Sequence, residues 1–218
     1  MPSNKINGSS TGHLEGINPA RIKRDIIVIG ASAGGIPALQ QIFAEFPLDM
    51  PAVVGVVLHR GVPPSHLAEV LGQRSVLSVK EPKKSLPMRQ GVIYLAPPDH
   101  HLLFEQGLVV IQRGPHEHSA RPAVDPLFRS AALVYGRRVV GLVLTGCGED
   151  GVSGLIAITT RKGLSLTQDP NNAYMPYMPL NAIRYDHVAG VVSLDEAAAK
   201  LVALAHGENV AVSVVAGR

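Results

Sequence analysis

Residues 25–47, DIIVIGASAGGIPALQQIFAEFP, pass from an apolar run through a glycine-rich turn into apolar residues at helical spacing. An uninterrupted run such as IIVIG suits a strand buried on both faces, and a helix directly after it makes the strand-turn-helix step of a parallel sheet. The step recurs along the chain. AVVGVVLH (52–59) is a second buried strand, and PPSHLAEVLGQ (63–73) is a helix opened by prolines, which suit a first turn. VDPLFRSAALVYG (124–136) is helical with a glycine stop, RRVVGLVLTG (137–146) is another buried strand, and DEAAAKLVALAHG (195–207) is the last helix. The expected fold is doubly wound α/β: a mostly parallel sheet with helices on both faces. Between Leu86 and Gln112 the runs GVIYLAP, HHLLFE and LVVIQRG, with EQG between the last two, predict an inserted antiparallel β-hairpin.

Composition narrows the function classes. A chain of 218 residues, 46% apolar and 17% charged, buries enough surface for one compact domain. Residues 1–24 are rich in Ser, Asn and Gly without an apolar run, so they are expected to be a flexible leader, with the domain over 25–218. No stretch reaches the roughly 18 apolar residues of a membrane helix, and no signal-peptide core is visible, so a cytoplasmic protein without direct membrane insertion is expected. The single cysteine, Cys147, excludes an internal disulfide framework and a thiolate zinc site. A net charge of +3 and 4% aromatic residues give little footing for nucleic acid, which is not an expected partner.

The glycine turn supports two chemistries. Glycines at a helix start let a backbone approach a pyrophosphate, but the G-x-G-x-x-G spacing fails: Ser32 occupies the second glycine position and Ile36 follows Gly35. The second strand ends in LHR, without the acidic residue that grips a ribose, and no tyrosine has a lysine four residues later, as a short-chain dehydrogenase needs. The same letters also form G-x-S-x-G over residues 30–34, a turn that raises a serine hydroxyl above the sheet. Helix capping is the plainer use of such a serine. In an open α/β sheet, however, sites assemble beyond the carboxyl ends of the strands. Three expected strands end in Ser32, in His59, and in the loop TGCGEDG with Glu149 and Asp150. Hydroxyl, imidazole and carboxylate are the parts of a nucleophilic triad, although the order Ser, His, acid is not that of the α/β-hydrolases. Cys147 is a rival nucleophile by residue type. The pairs His100-His101 and His116-x-His118 lack an accompanying carboxylate or cysteine pattern, so neither metal nor cofactor is expected. Asp125, Arg121 and Arg129 fit structural pairs and substrate contacts equally.

Together IGASAGG, VVLHR, YLAPPDHHL, RPAVDPLFRSAA and LTGCGEDG, in this order and spacing, resemble the catalytic domain of the chemotaxis protein-glutamate methylesterase family, over roughly Asp25 to Ala205. The resemblance implies removal of methyl groups from glutamate γ-methyl esters on chemoreceptors, with release of methanol, and in many members deamidation of receptor glutamines. It implies Ser32 as nucleophile, His59 as base, Asp150 as third member, and the backbone N–H of Cys147 as an oxyanion donor, with Ala33 at the helix start as a second. The implied partners are the methylated cytoplasmic helices of chemoreceptors. The sequence departs from the usual pattern in four places: Ala33 for threonine, Leu58 for glutamine before the histidine, Arg60-Gly61 for a Met-Pro pair, and Cys147 for methionine. They lie around the expected substrate groove and bear on which ester is recognised. Family members commonly carry a receiver domain ahead of the catalytic one, and the 24 residues before the first strand are fewer than the roughly 50 a small domain needs. The expectation is a chain without that switch: constitutively active, controlled by a separate regulatory protein, or a piece of a longer product. A binding module on the same fold, or a nucleotide-dependent oxidoreductase, are the rival classes.

Overall fold

The computed structural model describes residues 22–61, 66–186 and 188–212. Of the expected leader, residues 1–21 lie outside the described residues, as do the prolines expected to open the second helix. Arg24 is already tied to the domain: its backbone N–H donates to the Leu204 carbonyl at 2.9 Å and its guanidinium to the Arg137 carbonyl at 2.7 Å.

In chain order the elements are β1 (Ile26–Ala31), α1 (Gly35–Ala44), β2 (Val53–Leu58), α2 (Leu67–Gly72), β3 (Ser78–Lys80), β4 (Leu86–Pro87), β5 (Val92–Leu95), β6 (His101–Glu105) and β7 (Leu108–Gln112). There follow α3 (Val124–Tyr135), β8 (Val139–Val143), α4 (Val152–Thr160), β9 (Leu164–Gln168), α5 (Tyr177–Asp186), β10 (Gly190–Val192) and α6 (Leu194–His206). A seven-stranded sheet runs β10-β9-β8-β1-β2-β5-β3 with every pairing parallel, and a small antiparallel sheet runs β4-β7-β6. The chain steps outward from β1 to β2 on one side and resumes with β8 on the other. Strand order therefore reverses at β1, and the crevice beside its carboxyl end is where such sheets build sites.

The central strands form because both sheet faces need apolar side chains. In β1, Ile27, Ile29 and Ala31 pack with Leu39, Ile42 and Phe43 of α1 and Leu201 of α6. Ile26 and Val28 point the other way, to Leu127 and Phe128 of α3 and Leu155 and Ile158 of α4. This period of two, buried on both faces, produces the unbroken run seen in the sequence.

One expectation is corrected. GVIYLAP is not part of the hairpin: β5 joins the main sheet, parallel to β2 with Val53 opposite Val92, and also pairs with β3. All four of its residues are buried, as a strand enclosed between two neighbours requires. The hairpin is β6 and β7 alone, His101 opposite Gln112 and Glu105 opposite Leu108. Its inner residues Leu102, Phe104 and Val109 pack into the layer holding α3. Among the described residues, no helix is long and apolar enough to cross a membrane.

Candidate active site

The turn after β1 is shaped by backbone bonds. Ser32 N–H donates to the Thr145 carbonyl at 2.9 Å, and the Ser32 carbonyl accepts from Gly35 N–H at 2.9 Å, which closes the bend into α1. Gly34 takes the N-cap position at φ 81°, a left-handed conformation costly for residues with a Cβ. No side chain caps α1, so the Ser32 hydroxyl is not spent on the capping that was its plainer reading. The glycines serve packing within the protein. A Cβ on Gly30 would meet Val124, one on Gly34 would meet Tyr174 at 2.7 Å, and one on Gly35 would meet Leu58 at 2.5 Å and Ala31 at 2.8 Å.

His59 continues the β1–β2 ladder one residue past β2, its N–H donating to the Ala31 carbonyl at 3.0 Å, so it stands beside Ser32 at neighbouring strand ends. Its Nε2 lies 2.6 Å from Oδ2 of Asp150. Asp150 is almost wholly buried, while Glu149 next to it is exposed, which separates the two acids of the loop. The Asp150 carboxylate also accepts the first two amides of α3, Val124 N–H at 2.7 Å and Asp125 N–H at 3.0 Å. Burial works to raise its pKa, but the bonds from His59, Val124 and Asp125 outweigh that and hold it below the ordinary carboxylate range. An ionised carboxylate only accepts, so Nε2 carries the proton, and in the neutral imidazole Nδ1 keeps its lone pair.

Ser32 and His59 line one cleft of about 530 Å³, walled by Ile36, Pro37, Leu58, Leu67 and Val70. Among the described residues no hydrogen bond joins the Ser32 hydroxyl to His59. Such contacts are often long before substrate binds. The backbone N–H groups of Ala33 and Cys147, both exposed residues, have no acceptor among the described residues.

The family is decided by comparison with known proteins: the CheB methylesterase model matches residues 27–201. The chain belongs to the CheB methylesterase family. The crystal structure of the Thermotoga maritima CheB methylesterase catalytic domain superposes with a TM-score of 0.77 at 31% identity, covering 83% of this chain and 98% of that one. A protein-glutamate methylesterase/protein-glutamine glutaminase 2 from Anaeromyxobacter dehalogenans is 38% identical over 192 residues, 84% of this chain and 56% of that protein. The Pyrococcus horikoshii protein-glutamate methylesterase/protein-glutamine glutaminase is 36% identical over 185 residues, 82% of this chain and 49% of that protein. The chain thus spans about half the length of these two relatives. A Leptospira interrogans relative, 34% identical over 176 residues, is covered over 91% of its length.

In this CheB-family chain one wall of the site was not foreseen from the sequence. The segment from Tyr174 to Asn181, YMPYMPLN, is stitched to the loop after β8. Gly146 N–H donates to the Met175 carbonyl at 2.9 Å, Met178 N–H to the Gly146 carbonyl at 3.0 Å, and the Asn181 amide to the Gly148 carbonyl at 2.8 Å. Thr145 Oγ1 donates to the Ala33 carbonyl at 2.9 Å and accepts Met175 N–H at 2.8 Å, so one hydroxyl joins three segments. The available signal was alternating Met, Tyr and Pro with a lone Asn, a weak pattern beside the glycine motifs. Gly146 permits this close approach, since a Cβ there would run first into Sδ of Met178 and would also sit 2.7 Å from Cβ of Ser32. Gly146→Ala is therefore expected to displace Ser32 and lower kcat on the order of 10²-fold with the fold retained, as steady-state kinetics and circular dichroism would read.

The remaining polar residues of the CheB-family motifs serve the frame. Arg121 pairs with Asp99 and donates to the Gly114 carbonyl at 2.7 Å, and Nη2 of Arg129 donates to both carboxylate oxygens of Glu117 at 2.7 Å. His101 donates Nε2–H to the Pro115 carbonyl at 2.8 Å and accepts Ala123 N–H on Nδ1 at 3.2 Å, so both ring nitrogens hold backbone. His118 bonds Asp125 rather than His116, at 2.9 Å.

Proposed function

We propose that the chain hydrolyses glutamate γ-methyl esters on chemoreceptors, releasing methanol, and that Ser32, His59 and Asp150 carry the reaction. The observation that supports this most directly is the His59–Asp150 bond of 2.6 Å opening beside Ser32 in an apolar cleft. Nδ1 of His59 takes the hydroxyl proton as Oγ of Ser32 attacks the ester carbonyl, while Asp150 holds Nε2–H and favours the imidazolium. The N–H groups of Ala33 and Cys147 receive the oxyanion, each worth about 3 kcal/mol by analogy with other acyl hydrolases. The imidazolium returns its proton to the methoxide as the C–O bond breaks, and methanol leaves an acyl-serine. Water, deprotonated by His59, attacks that ester, and collapse of the second intermediate frees the γ-carboxylate and restores Ser32. A glutamine side chain enters by the same route with ammonia as leaving group, which agrees with the double activity in the relatives' names.

The substrates of this reading are methylated receptor helices in the cytoplasm. The apolar cleft suits an uncharged methyl ester and its aliphatic stem better than the charged product. The deciding measurement is methanol release from a panel of methylated receptor fragments, run beside fluorophosphonate labelling of Ser32. Release from at least one fragment is expected. Labelling without release would shift the reading to another ester, and neither labelling nor release would leave a binding module.

A further inference from the structure

Two buried aspartates hold each other's helices. Asp150, just before α4, accepts the first two amides of α3. Asp125, the second residue of α3, accepts at its Oδ1 Gly151 N–H at 3.0 Å and Gly154 N–H at 2.7 Å, at the start of α4. Their exposures are 2% for Asp150 and 1% for Asp125, and the donor atoms of His118, Asp125 and Asp150 lie within 4.8 Å of one another. Each oxygen of both carboxylates already accepts an N–H bond, so the trio is a hydrogen-bonded frame and not a ligand set awaiting an ion. The chain of contacts runs from His59 to Asp150, through the backbone N–H of Asp125, and from the Asp125 carboxylate to Nε2–H of His118.

We propose that Asp125 is a positioning residue for Asp150, and that His118 locks Asp125 in the rotamer that does this. The peptide joining Asp150 to Gly151 includes the Gly151 N–H, so a bond to that hydrogen fixes the peptide plane and with it the direction of the Asp150 side chain. Two carboxylates this close in a dry site repel unless each is fully engaged by donors. His118 supplies the donor on the outer oxygen of Asp125, and Arg129 stands 3.9 Å from that oxygen. The residue looked in sequence as much a substrate contact as a structural one; its burial removes it from substrate. The inference rests on Asp150 being the acid of the proposed reaction, but the placement it claims can be read without turnover.

The test compares Asp125→Asn with Asp25→Asn, a control at the opposite end of the sheet where Asp25 pairs with Arg138 at 2.8 Å. The first readout is the downfield His59 Nε2–H resonance in protein labelled with ¹⁵N-histidine. The second is kcat against KM for methanol release. Asp125→Asn is expected to shift that resonance upfield or broaden it away and to lower kcat about 10–100-fold with KM within about twofold. Asp25→Asn lowers the thermal midpoint and leaves both readouts in place. An unchanged resonance in Asp125→Asn, or a kcat loss no larger than the control's, overturns the proposal. Should Asp125→Asn not fold, His118→Leu decides: a smaller change of the same kind, rescued by the donor-bearing His118→Gln, supports the proposal, and equal behaviour of the two variants overturns it. A wild type that shows the resonance and releases no methanol refutes the reaction assigned above, and the resonance arm still judges the placement.

Discussion

Ser32→Ala is expected to lower methanol release on the order of 10⁴- to 10⁶-fold while leaving the protein folded, the loss typical when an acyl hydrolase is deprived of its nucleophile. The fold survives because the bonds that shape the turn are made by the Ser32 backbone, to Thr145 and Gly35, and alanine keeps both. The change in stability is about 0.5 kcal/mol or less, since the side chain caps nothing and is half-exposed. Cys147→Ala in the same assay is expected to stay within a few-fold of the parent: the thiol is exposed, and only the backbone N–H is assigned a role. Loss of activity confined to the cysteine variant would reverse the assignment and make the thiol the nucleophile.

The contrast between these two positions shows how the site could be reached from sequence. Ser32, His59 and Asp150 each follow a run of buried apolar residues, and such runs are legible because a strand enclosed on both faces tolerates almost nothing else. Once β1, β2 and β8 are recognised, their carboxyl ends are known to share an edge, and three reactive groups at one edge form a pattern no single motif supplies. The preference for Asp150 over Glu149 came from family resemblance. The structure adds a physical reason, since Asp150 alone is placed to receive the α3 amides and His59.

What escaped the sequence has equally local causes. GVIYLAP reads with the hairpin because short polar turns separate it from the neighbouring runs, and spacing alone cannot say that β5 reaches across to β2. The chain from α4 to β10 carries weak periodicity: α4 is apolar nearly all round, α5 holds Pro179 within its span, and β10 has three residues. The wall formed by Tyr174–Asn181 was lost with them. Asp125 was ambiguous because its partners, Gly151 and Gly154, are some 26 and 29 residues away and contribute only backbone N–H, which leaves no mark in residue type.

Asp150→Asn should cost catalysis and stability together, with different dependence on pH. The carboxylate accepts three N–H donors, from His59, Val124 and Asp125. An asparagine has one acceptor oxygen, and its NH₂ must face a donor on the other side. If the NH₂ takes the place of Oδ2, it faces both His59 and Val124 N–H: Val124 loses its acceptor, Nε2 becomes the acceptor, the proton moves to Nδ1, and the nitrogen that should take the Ser32 proton is occupied. A tautomer error of this kind costs on the order of 10⁴ in kcat in a serine triad. If it takes the place of Oδ1 instead, the Asp125 N–H at the start of α3 loses its acceptor, a loss of about 0.5–2 kcal/mol. The Asp150 pKa is depressed in the folded state, so the unfolded chain takes up the proton first as pH falls. The stability Asp150 supplies is therefore complete above the unfolded carboxylate value of about 3.9 and drains away below it, through the lower folded value. The substituted asparagine cannot titrate. The gap in thermal midpoint between parent and variant is expected to be widest near neutral pH and to close as pH drops below about 4, with kcat remaining low at every pH where the parent turns over. A gap that does not narrow in acid would mean Asp150 is not the held anion described here, and a kcat within tenfold of the parent would remove it from the reaction.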